Sequence, residues 1–281
     1  MIIKNIPEYE LTGEDGKMLL EERWKKIMEI IQAKKVISVA YLSKSLNTSE
    51  VTIRRDLREL EKTTDKIRRT HGGAIWSEYS VKGMNYEPFY PELESANQDI
   101  KQQICVTAAK LINDNTAIMI DSSSTAKQLC DLIIKNPPNG LMVVTNSLRV
   151  ALILSDCPTV EVIITGGQIR KGIISCVGRF AETAIKQIRV DKAFLGINGI
   201  DLKDNVLTMP SMSEGAVKSE MIACAKEKII LADHTKFDKT YIYKVCNASD
   251  IDMIITDTNI AQEHILQAKE CDVNLILAET D

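Results

Sequence analysis

Residues 49–60 read Ser-Glu-Val-Thr-Ile-Arg-Arg-Asp-Leu-Arg-Glu-Leu. Wound as a helix, this stretch puts Ile53, Leu57 and Leu60 on one face at i, i+4 and i+7. Thr52, Arg54, Arg55 and Arg58 point away from that stripe. Ser49 stands where its hydroxyl can accept a first-turn amide that the helix itself leaves without a partner. A short helix with a narrow apolar stripe and outward arginines suits an anionic surface. The planar guanidinium fork grips a phosphate or the edge of a guanine. Taken alone, the pattern also fits an ordinary solvated surface helix, so its neighbours decide.

Upstream, residues 22–32 carry apolar side chains at Trp24, Ile27, Met28, Ile30 and Ile31, as an amphipathic helix does. Val36-Ile37-Ser38 then leads into a second short helix over 39–46, with Ser38 placed to cap it and Leu42 and Leu46 facing inward. Asn47-Thr48 makes the tight turn into the arginine helix. Two short helices joined by a turn on a supporting first helix form the helix-turn-helix layout, whose second helix enters the major groove. Downstream, Lys66-Ile67-Arg68-Arg69-Thr70-His71 contains no acid, Gly72-Gly73 ends it, and Ala74-Ile75-Trp76 returns as an apolar run. This predicts a β-hairpin wing along a DNA backbone. His71 has no acid–base partner in sight and reads as a surface or phosphate-contacting residue rather than a catalyst.

The run VTIRRDLRELE followed by RRTHGGA resembles the N-terminal domain of the DeoR family of bacterial transcription regulators, over roughly residues 21–76. The resemblance implies contacts to double-stranded operator DNA from Ser49, Thr52, Arg54, Arg55, Arg58, Arg68, Arg69 and His71. Residues 1–20 are polar and acidic and fall outside it.

At 281 residues the chain has room for two domains. Its formal net charge is -4, so it is no polycation, and any nucleic-acid surface has to be local. The seven cysteines are scattered, with no CxxC or Cys/His metal spacing, as expected of free thiols in a reducing cytoplasm. No metal or cofactor is called for. No apolar run reaches membrane-spanning length and no signal peptide is visible.

Residues 77–97, with Pro88, Pro91 and several tyrosines and acids, read as a linker. From 98 to 281 helices and strands alternate. Strands are expected at 117–121, 141–145, 160–165, 192–196, 229–232, 253–256 and 273–277. Helices are expected at 126–135, 147–154, 180–187, 212–226 and 261–267. Most strands are continuous apolar runs, as in a parallel sheet covered on both faces. Ligands of such sheets gather at the carboxyl ends of the strands. Here those ends are Asp121-Ser122-Ser123-Ser124-Thr125, Thr145-Asn146-Ser147, Thr165-Gly166-Gly167 and Gly196-Ile197-Asn198-Gly199. Glu214 and Lys218 follow on one helix, then Asp233-His234-Thr235-Lys236. Each has a plainer reading as well. Serines at strand ends also cap helices, Gly166-Gly167 also makes a turn, and Glu214 with Lys218 at i, i+4 also makes a surface ion pair.

The second domain resembles the DeoR C-terminal effector domain through DSSST, VVTNSL, IITGGQIRK, VDKAFLGINGI, SEGAVKSEMI, ILADHTKF and IDMIITD. The resemblance implies a fold similar to ribose-5-phosphate isomerase and glucosamine-6-phosphate deaminase, and a phosphorylated-sugar effector. The expected contacts are Asp121, Ser122, Ser123, Ser124, Thr125, Asn146, Gly166, Gly167, Asn198, Lys218 and Lys236. Ser122, Ser124 and Thr125 with the helix N-terminus are assigned to the phosphate, Lys218 to its charge, and Asp121 and Asn146 to sugar hydroxyls. Ser123 departs from the family's Asp-x-Gly-[Ser/Thr]-Thr pattern, where glycine is usual. The fold class is thus α/β, a winged helix-turn-helix at 21–76 and a parallel-sheet domain at 98–281. The expected function is a DNA-binding repressor of a sugar-metabolism operon, acting as a homo-oligomer, dimer or tetramer. The alternative is a sugar-phosphate isomerase or deaminase with an accessory nucleic-acid-binding domain. Against it, Gly196-Ile197-Asn198-Gly199 lacks the acids of the isomerases' GADE-type loop.

Overall fold

The computed structural model describes residues 20–63, 66–70, 72–76 and 90–278. They fall into two compact units divided at Ser80. The first holds α1 (Leu20–Lys34), β1 (Val36–Ser38), α2 (Val39–Ser45), α3 (Glu50–Thr63), β2 (Ile67–Arg69) and β3 (Gly73–Trp76). Ile27 and Ile31 of α1, Leu42 of α2, and Ile53, Leu57 and Leu60 of α3 meet in one apolar core. The stripe expected from spacing is the buried face. Ser38 caps α2 by accepting the Tyr41 amide at 3.1 Å.

Residues 36–38 are more than a lead-in. They form a strand that pairs antiparallel with β3, which pairs in turn with β2. Gly73 permits this, because a Cβ there would lie 1.9 Å from the Ile37 carbonyl oxygen. Ile75 and Ala74 are buried on the hairpin. His71 lies outside the described residues.

The second unit opens with α4 (Tyr90–Ser95) and α5 (Gln98–Ala109). Part of the stretch expected as linker is therefore folded. Tyr90 is 2% exposed, so the aromatic residue has a packing role that composition alone did not reveal. Next come β4 (Ala117–Ile120), α6 (Ser124–Lys135), β5 (Leu141–Thr145), α7 (Leu148–Ser155) and β6 (Val160–Ile164). A hairpin of β7 (Gln168–Arg170) and β8 (Ser175–Val177) precedes α8 (Arg179–Lys186) and β9 (Val190–Gly196). Then follow β10 (Gly199–Asp201), β11 (Val206–Met209), α9 (Met212–Cys224), β12 (Ala225–Leu231) and β13 (Tyr243–Cys246). β14 (Met253–Thr256), α10 (Gln262–Glu270) and β15 (Asn274–Leu277) complete the described chain.

Among the described residues, seven strands pair in parallel in the order β15-β14-β12-β9-β4-β5-β6. Alternate residues along each strand feed two separate cores. Met119, Leu195, Ile230 and Ile254 join α8 and α9 on one side. Ile118, Ile120, Phe194, Ile229, Leu231 and Ile255 join α5, α6 and α7 on the other. This is why the strands read as unbroken apolar runs. α9 stops at Cys224, short of the expected 226, because Ala225 already pairs with Val190 in the sheet. The short hairpin β7–β8 and the antiparallel sheet β10-β11-β13 were not anticipated. No helix among the described residues is long and apolar enough to cross a membrane. The cysteines are free. Burial pushes the Cys105 thiol up to about 12, which leaves it unreactive.

Candidate functional site

Each unit carries one candidate surface. On the first, Asn47 takes a left-handed φ of 46° and turns the chain from α2 into α3. The Thr48 amide donates to the Ser43 carbonyl at 3.0 Å, and the Ser43 hydroxyl donates to the Thr48 carbonyl at 2.6 Å. Ser49 caps α3 by accepting the Thr52 amide at 3.2 Å. Val51, Arg54, Arg55 and Arg58 are exposed, and Thr52 is half-buried. Arg54 is held along its own helix by Glu50 at 2.8 Å. The Glu61 carboxylate accepts the Arg69 amide at 2.9 Å, which ties the wing to α3. Arg68 is half-buried.

α3 is set on its support by Asp56, which is 3% exposed. Its carboxylate accepts from the Arg23 guanidinium and, at 3.1 Å, from the Trp24 indole. Sequence reading missed both this acid and Val51. Asp56 sits between outward arginines in the run, and its partners lie a helix away. Val51 is 76% exposed on the first turn of α3, an apolar group on an otherwise polar face.

On the second unit, strand order reverses between β4 and β9. The chain runs outward from β4 through β5 to β6, then from β9 through β12 and β14 to β15. Such a switch point opens a crevice at the carboxyl ends of the strands. A cleft lies there, with about 710 Å³ of empty space including its open mouth. Ser122, Ser123, Ser124 and Thr125 line it from the start of α6, and Gly196, Ile197 and Asn198 from the end of β9. Glu214 and Lys218 reach in from α9, and Asp233, Thr235 and Lys236 from beyond β12. Tyr90, Leu93, Asn97 and Lys101 of the α4–α5 corner complete the wall.

Glu214 and Lys218 are not a surface pair. Both are buried, at 2% and 3% exposure, and each has a partner far away in the chain. The Glu214 carboxylate accepts from the Ser122 hydroxyl at 3.2 Å and from the Ser175 hydroxyl, with Arg170 at 3.7 Å. Lys218 pairs with Asp121. Asp121 also accepts the Ser123 amide at 2.9 Å and the Gly196 amide at 2.8 Å. The two residues assigned to sugar hydroxyl and phosphate are thus bound to each other. Asp121 serves to lock β4, β9 and α9 together at the floor.

Ser123, the departure from the family pattern, caps α6 by accepting the Ala126 amide at 3.1 Å. Its side chain lies where a Cβ on residue 196 would come within 2.4 Å, so Gly196 is needed there. Asn146, Gly166 and Gly167 are not among the residues lining this cleft. Asn146 is buried and donates to the Cys176 carbonyl at 3.2 Å. Gly167 has φ +119°, and a Cβ on it would meet the Val177 carbonyl at 2.9 Å, so it serves packing against β8 and α8.

The cations that sequence reading missed or ranked low are Lys101 and Lys236. Lys101 is 3% exposed and donates to the Leu93 carbonyl. Burial, aided by the Lys236 charge, pushes its ammonium down to about 8. Burial also lowers Lys236. Burial pushes the Asp233 carboxyl up, but the Lys236 charge and the Thr235 hydroxyl and amide outweigh it and hold it below the usual range. A buried acid beside one buried and one half-buried base stays charged and favours the charged form of its neighbours. Sequence could have pointed to Lys101 only through its place one helix ahead of the first strand, which is a weak signal.

One trio among the described residues brings ligand-type atoms close enough for a metal ion: Asp238, Glu263 and His264. Both His264 ring nitrogens are already engaged, with Asp238 and with Gln267, each at 3.2 Å.

The family model described as the DeoR-like helix-turn-helix domain matches residues 23–79. That of the DeoR C terminal sensor domain matches residues 96–258. The chain belongs to the DeoR family. It is a DNA-binding transcriptional regulator with a DeoR sensor domain. It is similar to the HTH-type transcriptional regulator YulB of Bacillus subtilis (strain 168), with 32% identity over 86% of this chain and 91% of that one. It is likewise similar to the lactose phosphotransferase system repressor of Lactococcus lactis subsp. lactis, with 32% identity over 87% of this chain and 94% of that one. Ribose 5-phosphate isomerase A from Methanocaldococcus jannaschii aligns with a TM-score of 0.39 and 18% identity, over 51% of this chain and 56% of that one. That likeness is too slight to carry an argument. In this DeoR regulator α3 lies in the first matched domain and most of the strand-end cleft in the second.

Proposed function

We propose that this DeoR regulator represses a sugar-utilisation operon in the cytoplasm and releases its operator when a phosphorylated sugar fills the cleft. The observation that carries the reading is the cleft itself, where the first turn of α6 meets Lys101 and Lys236. The leading amides of a helix have no partner within it and favour an anion, and one buried and one half-buried ammonium group add charge. Ser124, Thr125, Lys101 and Lys236 hold the phosphate in this reading. Asn198 and Asp233 orient the polyol, and Asp121 with Lys218 fixes the floor. Turnover is disfavoured because the Glu214 carboxylate is already committed to two hydroxyls and an arginine. Repression is supported by the Lactococcus relative, a lactose phosphotransferase system repressor.

On DNA, Arg55 and Arg58 reach base edges or phosphates, Val51 packs on a thymine methyl, and Ser49 and Thr52 set the register of α3. Two heads on symmetric half-sites imply a dimer or a tetramer. The test is a gel shift of the full chain on DNA upstream of its own gene, titrated with hexoses and hexose phosphates. Release by a phosphate ester but not by the parent sugar is expected. Equal effect of both, or turnover of the ester in a coupled assay, would sink the reading.

A further inference from the structure

α4 forms one wall of the cleft, and three ties keep it there. The Leu93 carbonyl accepts from the Ser124 hydroxyl at 3.1 Å and from the Lys101 ammonium. Glu94 pairs with Lys127 on α6. Tyr90 lies beneath the Arg149 guanidinium, 4.4 Å from ring centroid to carbon. A helix of six residues has no stability of its own, so these ties and the burial of Tyr90 maintain α4.

The first tie uses the donors that an anion at the start of α6 needs. A hydroxyl carries one proton, so Ser124 cannot donate to Leu93 and to a phosphate oxygen together. Lys101 has three protons, but a phosphate dianion is a far stronger acceptor than a neutral carbonyl. We propose that the Leu93 carbonyl and a ligand's phosphate compete for Ser124 and Lys101, so that phosphate binding releases α4 from the wall of the cleft. This rests on the reading of the cleft as a phosphate-ester site. α4 is the first described element after the helix-turn-helix unit along the chain. Its released residues join the connection between the two units. The ligand then distinguishes a strapped from a released state, the condition for it to alter DNA affinity.

The test uses the full chain, with inorganic phosphate and glucose 6-phosphate as probes. Calorimetry reads binding, and hydrogen exchange reads the amides of 92–95 and 124–126. Release predicts faster exchange at 92–95 while 124–126 slow. Glu94→Gln removes a half-exposed tie that phosphate does not touch, so it should tighten binding about two- to five-fold, the worth of such an ion pair. If 124–126 slow while 92–95 also slow or stay unchanged, α4 does not open and the strap is wrong, though the phosphate site stands. Unchanged or weaker binding by Glu94→Gln overturns the strap in the same way. If neither probe binds or slows 124–126, the phosphate reading fails and takes the strap with it.

Discussion

Burial and the nearby Lys236 charge bring the Lys101 ammonium to about 8, whereas an unperturbed lysine titrates near 10.4. Below about 8 Lys101 is charged and favours an anion, and above it the charge is lost. A phosphate monoester gains its second charge near pH 6. Affinity for a phosphorylated ligand should therefore rise through pH 6 and fall through pH 8, about two units before an exposed lysine would cause a decline. Calorimetric titrations from pH 5.5 to 10 check this (a range spanning roughly the two transitions). Affinity that stays level up to pH 10 would remove Lys101 from the phosphate.

Among the elements, α3 depends on a charge hidden beneath it. Asp56 is buried and its carboxylate satisfies Arg23 and Trp24 of α1. Asp56→Ala would remove the buried carboxylate that pairs with the Arg23 guanidinium, itself 14% exposed. Breaking such a pair should destabilise the N-terminal unit by about 2–4 kcal/mol. The chain's two tryptophans, Trp24 and Trp76, both lie in that unit. Intrinsic fluorescence during urea unfolding therefore reports it selectively. A midpoint unchanged from the parent chain would show that the apolar stripe alone seats α3.

For the whole molecule, α3 and the cleft lie on separate compact units. A ligand can change DNA affinity only through a difference in its own affinity for two arrangements of the chain. A coupling of about 1–3 kcal/mol is expected, and linkage requires it to be reciprocal. Operator duplex should thus weaken binding of the cognate phosphate ester by the same factor as the ester weakens operator binding, about 5- to 150-fold. Measuring ligand affinity with and without saturating operator checks it. Identical affinities would mean that the cleft does not control the DNA-binding unit.

What the sequence determined by itself is whatever consecutive residues encode. The period of Ile53, Leu57 and Leu60 specifies the buried face of α3, and Ser38 and Ser49 mark two helix starts, because periodicity and capping act within a few residues. Unbroken apolar runs such as 253–256 announce a sheet with a core on each face. Tertiary structure alone decided the partners. Asp121 and Lys218 stand 97 residues apart, and Ser122 and Glu214 stand 92 apart. No local pattern says that Glu214 and Lys218 turn inward rather than pair on a surface. The crevice exists because strand order reverses between β4 and β9, a property of connections and not of composition. Strands of three residues, such as β7, β8 and β10, carry too little period to be read. α4, cut from a stretch rich in proline and acids, is a helix only because Tyr90, Leu93 and Glu94 find partners in the second unit, and such partners exist only once the sheet has brought α6 and Arg149 beside them.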